Sequence, residues 1–116
     1  MKRHQAAFER HDSELDGTQI DTGLAQPRSL SDLASFLHGY VIKAQGDDDE
    51  TRGRRGRAAN LEGLAKTLPD AANADHAYAI VVLMRQQAAE LAERDPTLSW
   101  LPEWKPRVAV SAGGRA

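Results

Sequence analysis

The chain has no cysteine among its 116 residues. That excludes a disulfide framework, a thiolate nucleophile and every zinc site built on sulfur ligands, while leaving the redox compartment open. Long apolar runs are missing too. The longest, from Ala77 to Met84, falls far short of the roughly 20 residues a helix needs to span a bilayer. Charge of one sign is also missing: 15 Lys and Arg against 17 Asp and Glu leave a net charge of −2. No global field draws such a chain to nucleic acid or an anionic membrane, so either case must rest on a local patch. The opening MKRHQAAFERHDSEL has basic residues but lacks the apolar stretch of a secretory signal, so a cytoplasmic protein is expected. The Ala-, Arg- and Gly-rich, Lys-poor composition suggests a bacterial or phage source.

Signatures of catalysis are equally scarce. No G-x-S-x-G, H-E-x-x-H, Walker or G-x-G-x-x-G spacing occurs, and Ser111 stands beside Gly113 and Gly114 rather than on a strand-to-helix elbow. The segment Asp12 to Gly17 imitates the start of a calcium-binding loop. Its twelfth position, where a bidentate glutamate is needed, is Gly23. His4 and His11, with Glu14 nearby, are the closest approach to a metal set, and His38 and His76 belong to other segments. The expectation is a non-enzymatic protein with no metal and no cofactor.

What is present is helical spacing. A length of 116 residues fits one domain with a modest core. Residues 1–15 carry a thin stripe of Ala6, Ala7, Phe8, His11 and Leu15. Asp16-Gly17 then marks a turn, with Leu15 and Ile20 as flanks for at most one small hairpin. Ser29 or Ser31 can cap a helix over 31–44, with Leu30, Leu33, Leu37, Tyr40 or Val41, and Ala44 on one face and Gly46 as its stop. A further helix runs from about Arg57 to Leu68 on Ala58, Leu61, Leu64 or Ala65, and Leu68, closed by Pro69. The longest starts from Asp70 or Asn73 and reaches Arg94. Its seam is Ala77, Val81, Met84, Ala88 and Leu91, and Tyr78, Ile80, Val82 and Leu83 make its first half apolar nearly all round. Asp95-Pro96 ends it, and Val108 to Val110 could form a short edge strand.

The fold class expected is therefore all-α, with at most one minor strand or hairpin. It is a small antiparallel bundle of three main helices plus a peripheral N-terminal segment. Residues 1–28 form that segment, 29–95 the helical core with a charged joint at 46–57, and 96–116 a tail holding both tryptophans. The nearly all-round apolar helix asks for more cover than two short helices give. That points to a homodimer sharing this helix, with Ala77, Val81, Met84, Ala88 and Leu91 as its dimer or core seam.

The joint reads GDDDETRGRRGR. Arg52, Arg54, Arg55 and Arg57 are candidate anion-binding residues, because guanidinium forks match phosphate. Gly53-Arg54-Arg55-Gly56 resembles the backbone-clamping loop of KH domains over four residues. A KH domain needs strands around that helix pair, and a long apolar helix follows here instead, so the family is not assigned. The bland alternative is a solvated linker or frayed helix: Asp47, Asp48, Asp49 and Glu50 balance the four arginines, with Asp48 facing Arg52 and Glu50 facing Arg54 if the stretch is helical, and no large apolar side chain anchors it.

The tail concentrates Trp100, Leu101 and Trp104 within a few positions. Together with Tyr78 and Val82 they are the candidate partner-binding residues, since tryptophan is enriched at binding hot spots. The competing expectation is that the tail folds back and caps the bundle. The function expected is regulatory: contact with a larger protein target that is masked or inhibited, as by an anti-activator of a transcription factor or a phage-encoded inhibitor of host defence. The alternative is a small nucleic-acid-binding regulator using Arg52 to Arg57.

Overall fold

The computed structural model describes residue 4, residues 6–8, residue 10 and residues 26–107. Three long helices dominate: α1 (Leu30–Lys43), α2 (Asp49–Thr67) and α3 (Ala74–Arg94). Short 3-10 turns follow α2 at Leu68–Asp70 and α3 at Pro96–Leu98 and Leu101–Glu103. No strand occurs among the described residues. The chain is a small all-α bundle. The turn suggested at 15–20, the loop imitating a calcium site and the strand suggested at 108–110 lie outside the described residues.

Each helix begins on a side-chain cap that satisfies a free amide of its first turn. Ser29 Oγ accepts from the Asp32 amide at 3.0 Å. Asp48 accepts from the Thr51 amide at 3.0 Å and from the Thr51 hydroxyl at 2.8 Å. Asn73 Oδ1 accepts from the His76 amide at 2.8 Å. Basic residues close each helix, Lys43, Lys66 and Arg94, where they offset the negative end of the helix dipole.

Helix α2 packs against both α1 and α3. The core runs along it: Leu33 and Leu37 from α1, Ala58, Leu61 and Ala65 from α2, and Ala77, Val81, Met84, Ala88 and Leu91 from α3 are all buried. Alanine on the facing positions lets the helix axes approach, while the fully buried leucines contribute about 1.5–3 kcal/mol each.

The chain's two outer segments complete this core. Ala6, Ala7, Phe8 and Arg10 are helical, and Phe8 is among the most completely buried side chains in the protein. The N-terminal segment is therefore not wholly peripheral, as the thin stripe implied. Phe8 meets Trp104 edge to face, ring centroids 5.7 Å apart, and shares a packed site with Leu33, Leu61, Met84, Arg85, Ala88 and Leu101. The residues after α3 fold back over that helix and bury Leu98, Trp100, Leu101 and Trp104.

Polar bonds staple this tail in place. The buried Arg85 guanidinium donates to the carbonyl of Pro102 at 3.0 Å and to that of Trp104, and it lies over the Phe8 ring. Trp104 Nε1 donates to the Pro27 carbonyl at 2.6 Å, and the Arg107 amide to the Arg28 carbonyl at 2.8 Å.

The charged stretch differs most from the sequence reading. It is not a joint: α2 starts at Asp49, so residues 49–57 form its first turns. The connection is the short loop 44–48, and there Gly46 adopts φ +140°, which other residues rarely take.

Candidate functional site

Four arginines drawn from one short segment might be expected to make one basic patch. As a helix, they are dealt to different sides and given different partners. Arg52 pairs with Asp49 at 2.6 Å on the exposed side. Arg54 reaches Glu50 at 3.5 Å, in the favourable acid-before-base order. Arg55 crosses to the end of α1 and donates to the carbonyls of Ala44 at 2.7 Å and Gly46 at 3.1 Å, which a helix terminus otherwise leaves unsatisfied. Arg57 bridges to Glu90 of α3 at 3.1 Å. The anchoring missing from the apolar pattern is thus polar, with the buried Thr51 beneath it. Gly53 to Gly56 lie inside a helix, not in a loop that could clamp a nucleic-acid backbone.

The candidate partner-binding residues separate into two groups. Trp100, Leu101 and Trp104 are buried within the chain itself, so in this structure they offer little surface to a partner. They cap the bundle because their apolar area is satisfied by Phe8 and α3 and the indole nitrogen of Trp104 by Pro27. Tyr78 is half-buried, with the Arg10 guanidinium 4.0 Å above its ring. Val82 remains outside at 38% exposure, and its neighbour Leu83 reaches 47%. The seam residues Ala77, Val81, Met84, Ala88 and Leu91 are buried inside one copy of the chain. The cover the sequence asks of a second copy is supplied in large part by the tail and Phe8.

The outer face of α3 is the most clearly unsealed apolar surface. Val82 and Leu83 stand at its middle, with the exposed Ala79, Gln86 and Ala89 around them. Acids stand at both ends: Asp75, which meets Arg10 at 3.7 Å, and the exposed Glu93. On α1, Ile42 is 55% exposed, and Phe36 at 36% leans on Trp100 with centroids 5.5 Å apart.

Two open clefts flank α2. One, of about 520 Å³, lies between α1 and α2. On its wall the buried Glu62 accepts from Lys66 Nζ at 2.8 Å and faces His38 Nδ1 at 3.2 Å. The Lys66 ammonium holds the Glu62 carboxyl below its ordinary value. A carboxylate orienting a histidine is half of a hydrolytic triad, and Ser31 and Ser35 line the same cleft. Neither serine hydroxyl hydrogen-bonds the imidazole, so the contact that would activate a nucleophile is not made. Spacing reveals the Glu62–Lys66 pair, four residues apart, but not His38 on another helix.

The second cleft, of about 430 Å³, opens where α1 and α3 end and α2 begins, between Tyr40, Lys43, Ala44, Arg54, Arg94 and Asp95. The Tyr40 hydroxyl donates to Asp95 Oδ2 at 2.6 Å. Burial, then this bond, pushes the phenol up to about 12. At Asp95, burial pushes the carboxyl up, but hydrogen bonds from Thr97 and Tyr40 outweigh it and hold the group below its ordinary value.

Among the described residues, no three His, Asp or Glu side chains gather as a metal site requires, and no helix is long and apolar enough to cross a membrane. Comparison with family models, with curated proteins and with solved structures returned no significant match.

Proposed function

We propose that this chain is a small, non-enzymatic regulatory protein that acts by protein–protein contact, docking a larger target through the outer face of α3 and masking the surface it covers. The observation carrying this reading is the exposure of two adjacent large aliphatic side chains, Val82 and Leu83, on a helix whose other large apolar residues are buried or half-buried. Such a patch, rimmed by polar residues, is the usual mark of an interaction site. Asp75 and Glu93 at its ends suit a target whose apolar groove carries a basic rim.

The nucleic-acid alternative has less support, because each of Arg52, Arg54, Arg55 and Arg57 is held by a partner within the chain.

The test is affinity purification from the native cell, with and without nuclease, using the wild type and Leu83→Asp. An exposed substitution of this kind changes stability by only about 0.5 kcal/mol, so circular dichroism should show the same fold. A protein retained by the wild type, insensitive to nuclease and lost with Leu83→Asp supports the proposal. Partners lost on nuclease treatment favour the nucleic-acid reading. Sedimentation at increasing concentration identifies a homodimer, and a dimer dispersed by Leu83→Asp would replace the larger target with a second copy.

A further inference from the structure

Three helices each send one cation into the cleft where α1 and α3 end and α2 begins: Lys43, Arg94 and Arg54 respectively. Among the described residues, the side chains of Lys43 and Arg94 make no ion pair or hydrogen bond. Arg54 pairs with Glu50 at 3.5 Å and with the Thr51 hydroxyl at 3.4 Å, the longest contacts among the four arginines of this stretch. The carboxylate in the cleft is already committed: Asp95 accepts from Tyr40 at 2.6 Å through one oxygen, and from the Thr97 amide at 3.1 Å and hydroxyl at 2.6 Å through the other. Three cations therefore face one hydrogen-bonded carboxylate, with Glu50 at the exposed margin.

A helix-dipole role explains why Lys43 and Arg94 lie in last turns, but not why both converge with Arg54 on one hollow. The Arg94 guanidinium lies beside Gly53 of α2, where a Cβ would meet its Nε at 3.4 Å, an ordinary contact.

We infer that this cleft binds a phosphorylated small molecule, its phosphate held by Lys43, Arg54 and Arg94. Donors arriving from three helices suit a tetrahedral anion with three free oxygens better than a planar carboxylate, and guanidinium groups bind phosphate through paired N–H donors. The hollow of about 430 Å³ exceeds a bare phosphate and falls within the range of small-molecule sites, roughly 300–1,000 Å³. Tyr40 and Ala44 form the wall against which the rest of the ligand would lie. The inference does not depend on the α3 outer face, which is a different surface.

Calorimetric titration of the full chain with adenosine monophosphate, adenosine and inorganic phosphate tests it. The monophosphate should bind, inorganic phosphate more weakly, and adenosine not at all. Arg94→Gln and Lys43→Gln should each weaken binding about tenfold or more, the effect of losing one charge-assisted hydrogen bond, with the helical signal unchanged. Arg52→Gln, outside the cleft, should leave it intact. No binding by any of the phosphates, or equal loss in Arg52→Gln, would overturn the inference. So would a single-stranded oligonucleotide binding more tightly than the monophosphate and weakened equally by Arg52→Gln and Arg94→Gln, which would mark a diffuse polyanion surface instead.

Discussion

Replacing Trp104 by alanine should collapse the stability of the whole bundle rather than loosen a tail. The side chain is 4% exposed, meets Phe8 edge to face and donates its indole hydrogen to Pro27. Truncating a buried tryptophan costs about 3–5 kcal/mol, a large share of the roughly 5–15 kcal/mol a domain commands. At about 4–6 °C per kcal/mol for a chain of this size, the midpoint should fall by roughly 12–30 °C. Trp104→Phe keeps an aromatic ring against Phe8 but leaves the Pro27 carbonyl without its donor, and it should cost only about 1–3 kcal/mol. Both tryptophans of the protein, Trp100 and Trp104, sit in the tail, so their fluorescence reports tail docking while far-ultraviolet circular dichroism reports the helices. In the wild type the two urea transitions should coincide, as in a two-state domain. A loss under about 1 kcal/mol in Trp104→Ala, or fluorescence unfolding well before the helices, would refute the claim that the tail is part of the core.

Two glycine substitutions should move stability in opposite directions. Gly46→Ala forces a side chain onto φ +140° and to within 3.2 Å of Asp48 Oδ1, and it should destabilise by about 1 kcal/mol or more. Gly63→Ala adds a methyl to an exposed helical position with nothing within 4 Å, and it should stabilise by about 0.5–1 kcal/mol; thermal melts read both. In an ultraviolet pH titration, Tyr40 should ionise near about 12. Its folded value is raised, so its contribution is full below about 10 and is lost as the pH climbs toward the folded value; Tyr40→Phe should abolish that alkaline limb. Asp48, Glu62 and Asp95 all titrate below their ordinary values, held there by the Thr51 amide, by Lys66, and by Thr97 and Tyr40 over the opposing effect of burial. A depressed folded value stabilises above the unfolded one, so urea stability should hold from neutral to about pH 5 and decline below about pH 4. Asp95→Asn should shallow that decline.

Local chemistry is what the sequence expresses most clearly. Ser29 and Asn73 were among the expected caps, and Arg94 and Asp95 end α3 where Asp-Pro requires it. The leucine spacing of α1 and the seam of α3 predict their buried faces. The start of α2 was hidden because its support comes from elsewhere in the chain. Gly53 and Gly56 depress its propensity, while Asp48, Arg55 reaching α1 and Arg57 reaching α3 restore order through bonds that spacing cannot reveal. Phe8 was illegible for the same reason: one aromatic on a thin stripe looks peripheral until Trp104 meets it. Of the candidate site residues, Val82 is exposed, whereas Trp100 and Trp104 are buried. Nothing in the spacing marks Lys43, and the four-residue interval predicts Arg94 paired with Glu90, which instead bonds Arg57 of α2.

The meeting of Phe8 with Trp104 also sets an order of events during synthesis. A domain usually folds as a unit while it emerges from the ribosome. Here α1 and α2 leave the ribosome while α3 and Trp104, the residue that seals them, are still within the exit tunnel. Until Trp104 has emerged, Phe8, Leu33, Leu61 and Met84 share an open hydrophobic seam, and the buried Arg85 lacks the carbonyls of Pro102 and Trp104. A nascent chain stalled short of Trp104 should therefore be a client for chaperones, and one stalled well beyond it should not.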